Sequence, residues 1–295
     1  MKENTWIEGW FEKCEELEIK PWEWDFKQSY IKEPISENTS PIRLMLEYKM
    51  GDLKEIGICN STGKTGKKAD CDKEPYSIYD VLWNRDEVIR GETMNSFITT
   101  FNHSLLKSSN SFEEFEKIGI LTNISLTKQY AKIISNDFSK FNLIDDRLDE
   151  FKKFATSTHS IGNFTVLPHW MNSGRYLFSQ DYWDVTMYSL FEFFKPLGCW
   201  KQFVERYFLQ PYVNNDEEWT VSEFWEGHFA GIGNYNQLKP QNEQELSEYL
   251  HKVNIRIEER GKWIIKKVCE ELKLQHFTFY DELKDRQIRF SNELK

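Results

Sequence analysis

The sequence predicts a mainly α fold: a single helical domain with a small β component in its N-terminal part. Three observations carry that expectation. From residue 76 onward the apolar residues recur with the 3.6-residue period of amphipathic helices rather than the two-residue period of strands. The longest of these stripes runs from Asn242 to Leu272 without a proline to interrupt it. Aromatic residues make up 16% of the 295-residue chain, with 11 Trp and 22 Phe, and large rings supply enough buried area for a substantial core.

Taken in order, Trp6, Trp10, Phe11, Cys14 and Leu17 define a short helix that Thr5 can cap. Trp22 to Thr39 turns from aromatic to polar, contains Pro34, and is expected to be irregular. Pro41 to Met50 fits either a helix or a strand. Leu53 to Cys59 has a strand pattern, and Asn60 to Glu74, rich in Gly, Lys and Asp, reads as an exposed loop. Met94, Phe97, Ile98, Phe101 and Leu105 share one face of a helix starting near Glu92. Ser111 to Ile118 and Ser125 to Ile134 give two more. Ile144, Leu148, Phe151 and Ala155 form a stripe leading into the His159 segment, and a short strand is compatible with the residues near 165. Asp181 can cap a helix carrying Trp183, Met187, Leu190, Phe191 and Phe194, which Pro196 and Gly198 end. Trp200 to Phe208 forms another. In the long helix Leu246, Leu250, Val253, Ile257, Ile264 and Val268 line up, and Arg260 falls among them, so its guanidinium is expected to be buried and paired with an acid or with backbone carbonyls. The expected organisation is a less regular segment 1–75 packed on a helical core 76–272, with 273–295 as a charged tail or helix.

Composition restricts the partners. The net charge of -10 repels phosphate backbones, which disfavours nucleic acid without a local basic patch. Mean hydropathy is -0.66, and no apolar run approaches the roughly 20 residues that span a bilayer, so no membrane partner is expected. Residues 1–6 show no export signal. Cys14, Cys59, Cys71, Cys199 and Cys269 are scattered, contain no C-x-x-C pair, and read as reduced thiols in a cytoplasmic protein. Gly63-Lys64-Thr65 lacks the glycine spacing and following helix of a phosphate-binding loop. Gly231-Ile232-Gly233 lacks the third glycine and the preceding strand of a dinucleotide fingerprint.

The stretch Thr158 to Pro168 concentrates small and polar residues directly after an amphipathic helix, which marks a functional corner. Gly162 is expected to take a left-handed turn there. The imidazole of His159 can serve as acid, base or ligand near neutral pH, so His159 and Asn163 are the candidate catalytic residues. Asn163-Phe164-Thr165-Val166-Leu167-Pro168-His169-Trp170-Met171-Asn172-Ser173-Gly174-Arg175 resembles the second half of an HNH nuclease site, with Phe164 for the first Leu and Arg175 for the Lys. That resemblance implies a divalent metal with Asn172 at a ligand position and Arg175 near phosphate. It also implies an acidic residue and a His on an upstream hairpin. The nearest upstream candidate, His103, follows Asn102 instead of an acid.

A broader resemblance spans about residues 85 to 265. Arg90-Gly91-Glu92-Thr93-Met94-Asn95-Ser96, the His159 to Pro168 phrase, Asp181-Tyr182-Trp183-Asp184, and Val253-Asn254-Ile255-Arg256-Ile257-Glu258-Glu259-Arg260-Gly261 occur in this order. The set is similar to a group of uncharacterised bacterial proteins, mostly from Firmicutes, and implies a bacterial cytosolic protein with one integrated fold. The polar residues of these phrases form the candidate ligand site: Arg90, Glu92, Asn95, Arg256 and Arg260, with Glu92 a candidate partner for Arg260. The leading functional expectation is a polar ligand-binding or interaction site built from these segments, a small anionic ligand on Arg90, Arg256 and Arg260 being one form of it, with no cofactor or partner indicated. The alternative is a metal-dependent HNH-like nuclease acting in defence against foreign nucleic acid.

Overall fold

A computed structural model describes residues 4–26, 73–83, 90–94, 149–167, 182–234, 238 and 240–295. Its organising element is the long helix. We number the helices α1 (Asn4–Glu16), α2 (Lys73–Leu82), α3 (Asp149–Ser157), α4 (Trp183–Phe194), α5 (Trp200–Arg206) and α6 (Glu243–Leu272), and the strands β1 (Arg90–Thr93) and β2 (Phe164–Leu167).

Local chemistry sets the ends of α6. The Asn242 side chain accepts from the Glu245 backbone N–H at 2.9 Å, and the Glu245 carboxylate accepts from the Gln241 N–H at 2.8 Å, so both partners satisfy helix-start donors. At the other end Lys273 turns left-handed (φ 59°), and the Leu274 N–H reaches back to the Cys269 carbonyl at 2.9 Å. Between these ends Leu246, Leu250, Val253, Ile257, Ile264 and Val268 are all buried, as the stripe predicts. So are Asn254, Arg256, Glu259, Arg260 and Lys266. From Val253 to Cys269 the helix is therefore enclosed on more than its apolar face.

The enclosing pieces are α2, α3 and three 3-10 turns, Pro21–Glu23, Ile161–Asn163 and Gln210–Tyr212, all packed on α6. α4 packs on α5. One hydrophobic core joins residues from Ile7 to Leu283, with many edge-to-face rings such as Phe11 on Phe279 and Tyr182 on Tyr249. The result is a mainly helical single domain with a small β component. Among the described residues no helix is long and apolar enough to cross a membrane.

Two expectations change. Arg90 to Thr93 does not open a helix. It forms β1, which pairs antiparallel with β2 in the register Arg90↔Leu167 to Thr93↔Phe164. The helical stripe beginning at Met94 does not extend back over these residues, because their backbone groups find partners on a strand distant in sequence. Residues 273–295, read as a charged tail or helix, form two 3-10 turns, Thr278–Glu282 and Ser291–Glu293, fastened to α6. Lys266 donates to the carbonyls of Lys284 (2.8 Å) and Arg286 (2.6 Å), Glu259 receives both Arg286 and Arg289, and Arg256 donates to the Ser291 hydroxyl. The expected strand Leu53–Cys59, the Gly63-Lys64-Thr65 loop and the helices expected over 97–105, 111–118 and 125–134 lie outside the described residues.

Candidate functional site

Three of the four polar phrases meet at one place. α3 ends at Ser157, and the chain turns through Thr158 and Ser160 into the Ile161–Asn163 turn and then β2. Asn163 holds this corner together: its side-chain amide donates to the Thr158 carbonyl at 2.7 Å, and its own carbonyl accepts from the Met94 N–H at 2.6 Å. Gly162 is needed for closeness rather than handedness, since its φ is not among the positive ones. A methyl in place of its hydrogen would sit 1.9 Å from the carbonyl oxygen of Ile257 on α6. The expected left-handed turn is thus replaced by backbone-to-backbone packing.

Arg260 locks the junction. Nη1 donates to the carbonyls of Gly162 (3.0 Å) and Phe164. Nε donates to Tyr207 and Phe208 at 3.3 and 3.2 Å, and Nη2 to Tyr207 (3.1 Å) and the Thr165 hydroxyl (3.5 Å). The guanidinium has five N–H donors, and this ring of acceptors engages them. The Tyr207 and Phe208 carbonyls close the C-terminal end of α5, where a cation complements the helix dipole. Burial pushes the Arg260 pKa down to about 10, opposed by Tyr212 and Tyr79, so the group stays charged at neutral pH. Arg256, one turn away, is also fully buried and pushed down to about 10 by burial, opposed by Tyr212 and Asp184. It donates to the Lys252 carbonyl at 2.8 Å and stands over the rings of Tyr212 and Phe224.

His159 is buried. Its Nδ1 lies 3.9 Å from Asp25 Oδ1, its ring lies against Phe164, and its carbonyl accepts from the Phe26 N–H at 3.1 Å. The structure therefore brings His159, Asn163 and Arg260 together with the backbone of Arg90 and Glu92 on β1, while Arg256 faces the C-terminal segment. Asn95, Asn172 and Arg175 lie outside the described residues. Among the described residues no group of three metal-ligating side chains occurs.

Beside this junction is a cavity of about 310 Å³ between the Pro21–Glu23 turn, α3 and α6. Ile19, Trp22 and Ile257 give it apolar walls. Its polar lining is Glu23, Lys153, Thr156, Ser157, Asn254 and Glu258. Ile257 belongs to both places, since it lines the cavity and its carbonyl lies against Gly162. Glu258 holds Lys153 (3.1 Å) and Lys262, and these contacts outweigh desolvation to draw its pKa down. Desolvation first, and then the nearby Glu258, raise that of Glu23 against the opposing pull of Lys262 and Lys20.

Sequence reasoning missed this cavity. Of its lining, only Asn254, Ile257 and Glu258 fall inside a phrase singled out above, and the walls come from three separated segments. It also missed a buried pair: Asp184 Oδ2 accepts from the Phe224 N–H at 2.7 Å and lies 2.6 Å from His228 Nδ1, while His228 Nε2 lies 3.1 Å from the Leu238 carbonyl. Asp184 stands in one of the polar phrases, but nothing in the sequence joins it to His228. No known family model, curated protein or solved structure matches this chain.

Proposed function

We propose that the protein binds a small polar molecule in the cavity between the Pro21–Glu23 turn, α3 and α6. In this reading the Arg90–Asn95, His159–Asn163 and Arg256–Arg260 segments are the polar framework that holds the cavity walls in place. The supporting observation is the position of Ile257, which lines the cavity while its carbonyl abuts Gly162 of the Arg260-locked corner. A concave site with apolar walls and a few convergent polar groups, carried on rigid elements, is the usual architecture of small-ligand recognition.

The test is a thermal-shift screen with anionic, neutral and cationic small molecules on the parent and on Thr156→Trp. Thr156 lines the cavity and is exposed, so an indole there fills the space without disturbing the core. Binding to the native state raises stability by mass action, by about 2.7 kcal/mol at a hundredfold excess over Kd, which reads as a rise of several degrees. The expected result is stabilisation of the parent by at least one compound, lost in Thr156→Trp while that variant's own melting temperature stays near the parent's. No stabilising compound, or a shift that survives the substitution, would overturn the proposal.

A further inference from the structure

We propose that Asp184 and His228 form a proton-dependent latch: a doubly protonated imidazolium ties the His228–Gly231 turn and Leu238 to α4, and the tie weakens as the pH rises. Both side chains are 0% exposed, so every hydrogen bond they make must be completed inside the protein. The Leu238 carbonyl, 3.1 Å from Nε2, only accepts, so Nε2 carries a hydrogen. Nδ1 lies 2.6 Å from Asp184 Oδ2, and without a second hydrogen between them two lone pairs would face each other. The pair therefore holds two hydrogens and no net charge. In an unfolded chain above about pH 7 the same two groups hold roughly one, because a free His titrates near 6.5 and a free Asp near 3.9. Folding takes up a proton here.

The surroundings place that proton on the ring. Asp184 Oδ2 already accepts from the Phe224 N–H at 2.7 Å, which favours the carboxylate. The face of the imidazole meets Trp225, with ring centres 3.6 Å apart and planes tilted by 31°, and an indole face attracts positive charge. The other ionisable groups around the pair, among the described residues, are Tyr182 just before α4, Tyr249, Lys252 and Arg256 on α6, and Glu223 on the turn's own segment. The Tyr182 ring stands at right angles to the imidazole, and Tyr249 packs behind Tyr182 and Trp225. Lys252 and Arg256 act on Asp184 by charge and further favour its ionised form. Their own donors go elsewhere, Lys252 to the Glu223 carbonyl, Arg256 to the Lys252 carbonyl and the Ser291 hydroxyl. The Glu223 carboxylate accepts from the Gly227 and Phe229 N–H groups, so it fixes the turn without bonding the imidazole. Removing the proton from His228 leaves a ring lone pair aimed at an acceptor. A proton bound on folding adds stability that is full below the unfolded His value of about 6.5 and is lost as the pH rises above it.

Two measurements on the full chain test this. Nitrogen–proton correlation spectra of the histidine rings, recorded near pH 7.5, count the hydrogens on His228 and need no variant. Hydrogens on both nitrogens are expected, and one bare ring nitrogen would overturn the proposal. Amide hydrogen exchange, corrected for its intrinsic pH dependence, reads the latch itself. Protection of residues 225–234 relative to α6 should fall by up to tenfold per pH unit above about pH 6.5, since each opening releases one proton. In His228→Gln this pH dependence should vanish. Protection that stays level with pH in the parent, or that falls equally in His228→Gln, would overturn the latch, and the parent profile alone decides if the variant does not fold.

Discussion

At Arg260, α6 turns a buried cation toward a wall of carbonyls, and the wall satisfies it. Less than two turns earlier on the same helix, at Asn254, the relation reverses. There the amide N–H donors are held by Glu150, and the buried Oδ1 has no partner among the described residues. A buried polar group without a partner costs roughly 1–3 kcal/mol, so the Arg260 junction braces the fold more firmly than the Asn254 amide does. The difference separates the braced stretch of this helix from the stretch that lines the cavity. In the proposed reading the corner that concentrates the conspicuous residues, His159, Asn163 and Arg260, is a scaffold, and the ligand cavity lies next door.

The largest effect that could break this comparison is at Arg260. Arg260→Met leaves the carbonyls of Gly162, Phe164, Tyr207 and Phe208 without their donor and should cost on the order of 3–5 kcal/mol. Urea unfolding followed by tryptophan fluorescence measures it. A loss under about 1 kcal/mol would mean the junction is not a scaffold.

Gly162→Ala comes next. The added methyl meets the Ile257 backbone, which yields less readily than a flexible side chain, so the turn and α6 must move apart at a cost of about 1–3 kcal/mol. Because Ile257 also lines the cavity, the same change should weaken ligand binding beyond what the stability loss explains. Unfolding and titration on one preparation check both, and unaltered binding would separate the corner from the cavity.

The smallest effect concerns pH. Desolvation raises the Glu150 pKa, but hydrogen bonds from His251 and Asn254 outweigh it and leave the folded value below the ordinary 4.5. A carboxylate depressed on folding contributes stability that is fully present above its unfolded pKa and lost as pH falls through the folded value. The group is partly exposed, so that contribution stays below ~1 kcal/mol. Glu150→Gln should therefore lower the urea midpoint slightly at pH 7, with the deficit closing toward pH 3. A deficit that is the same at both pH values would rule out the charged form as its source.

The helices were legible because their signals are local. The apolar period from Leu246 to Val268, read as a helix from Asn242 to Leu272, places α6 within a residue of its observed ends. The stripe Trp183 to Phe194 closes before Pro196 and Gly198 in the same way. The burial of Arg260 followed from its place between Ile257 and Ile264, because the geometry of a helix puts those side chains on one face. Its expected partners were an acid or backbone carbonyls, and carbonyls from two other segments fill that role.

What the sequence by itself determined, then, is the helical class, the ends of the main helices, and the buried Arg260 on the longest of them, all consequences of residues within a few turns of one another. Tertiary structure alone decided that Arg90 to Thr93 is a strand, that Gly162 serves close packing, that Asp184 meets His228, and that Trp22, Lys153 and Asn254 enclose one cavity. The physical reason is range. A hydrogen bond to a distant strand, a backbone contact with another helix and an empty volume between three segments arise only when separate parts of the chain meet, and no local pattern of residues encodes them.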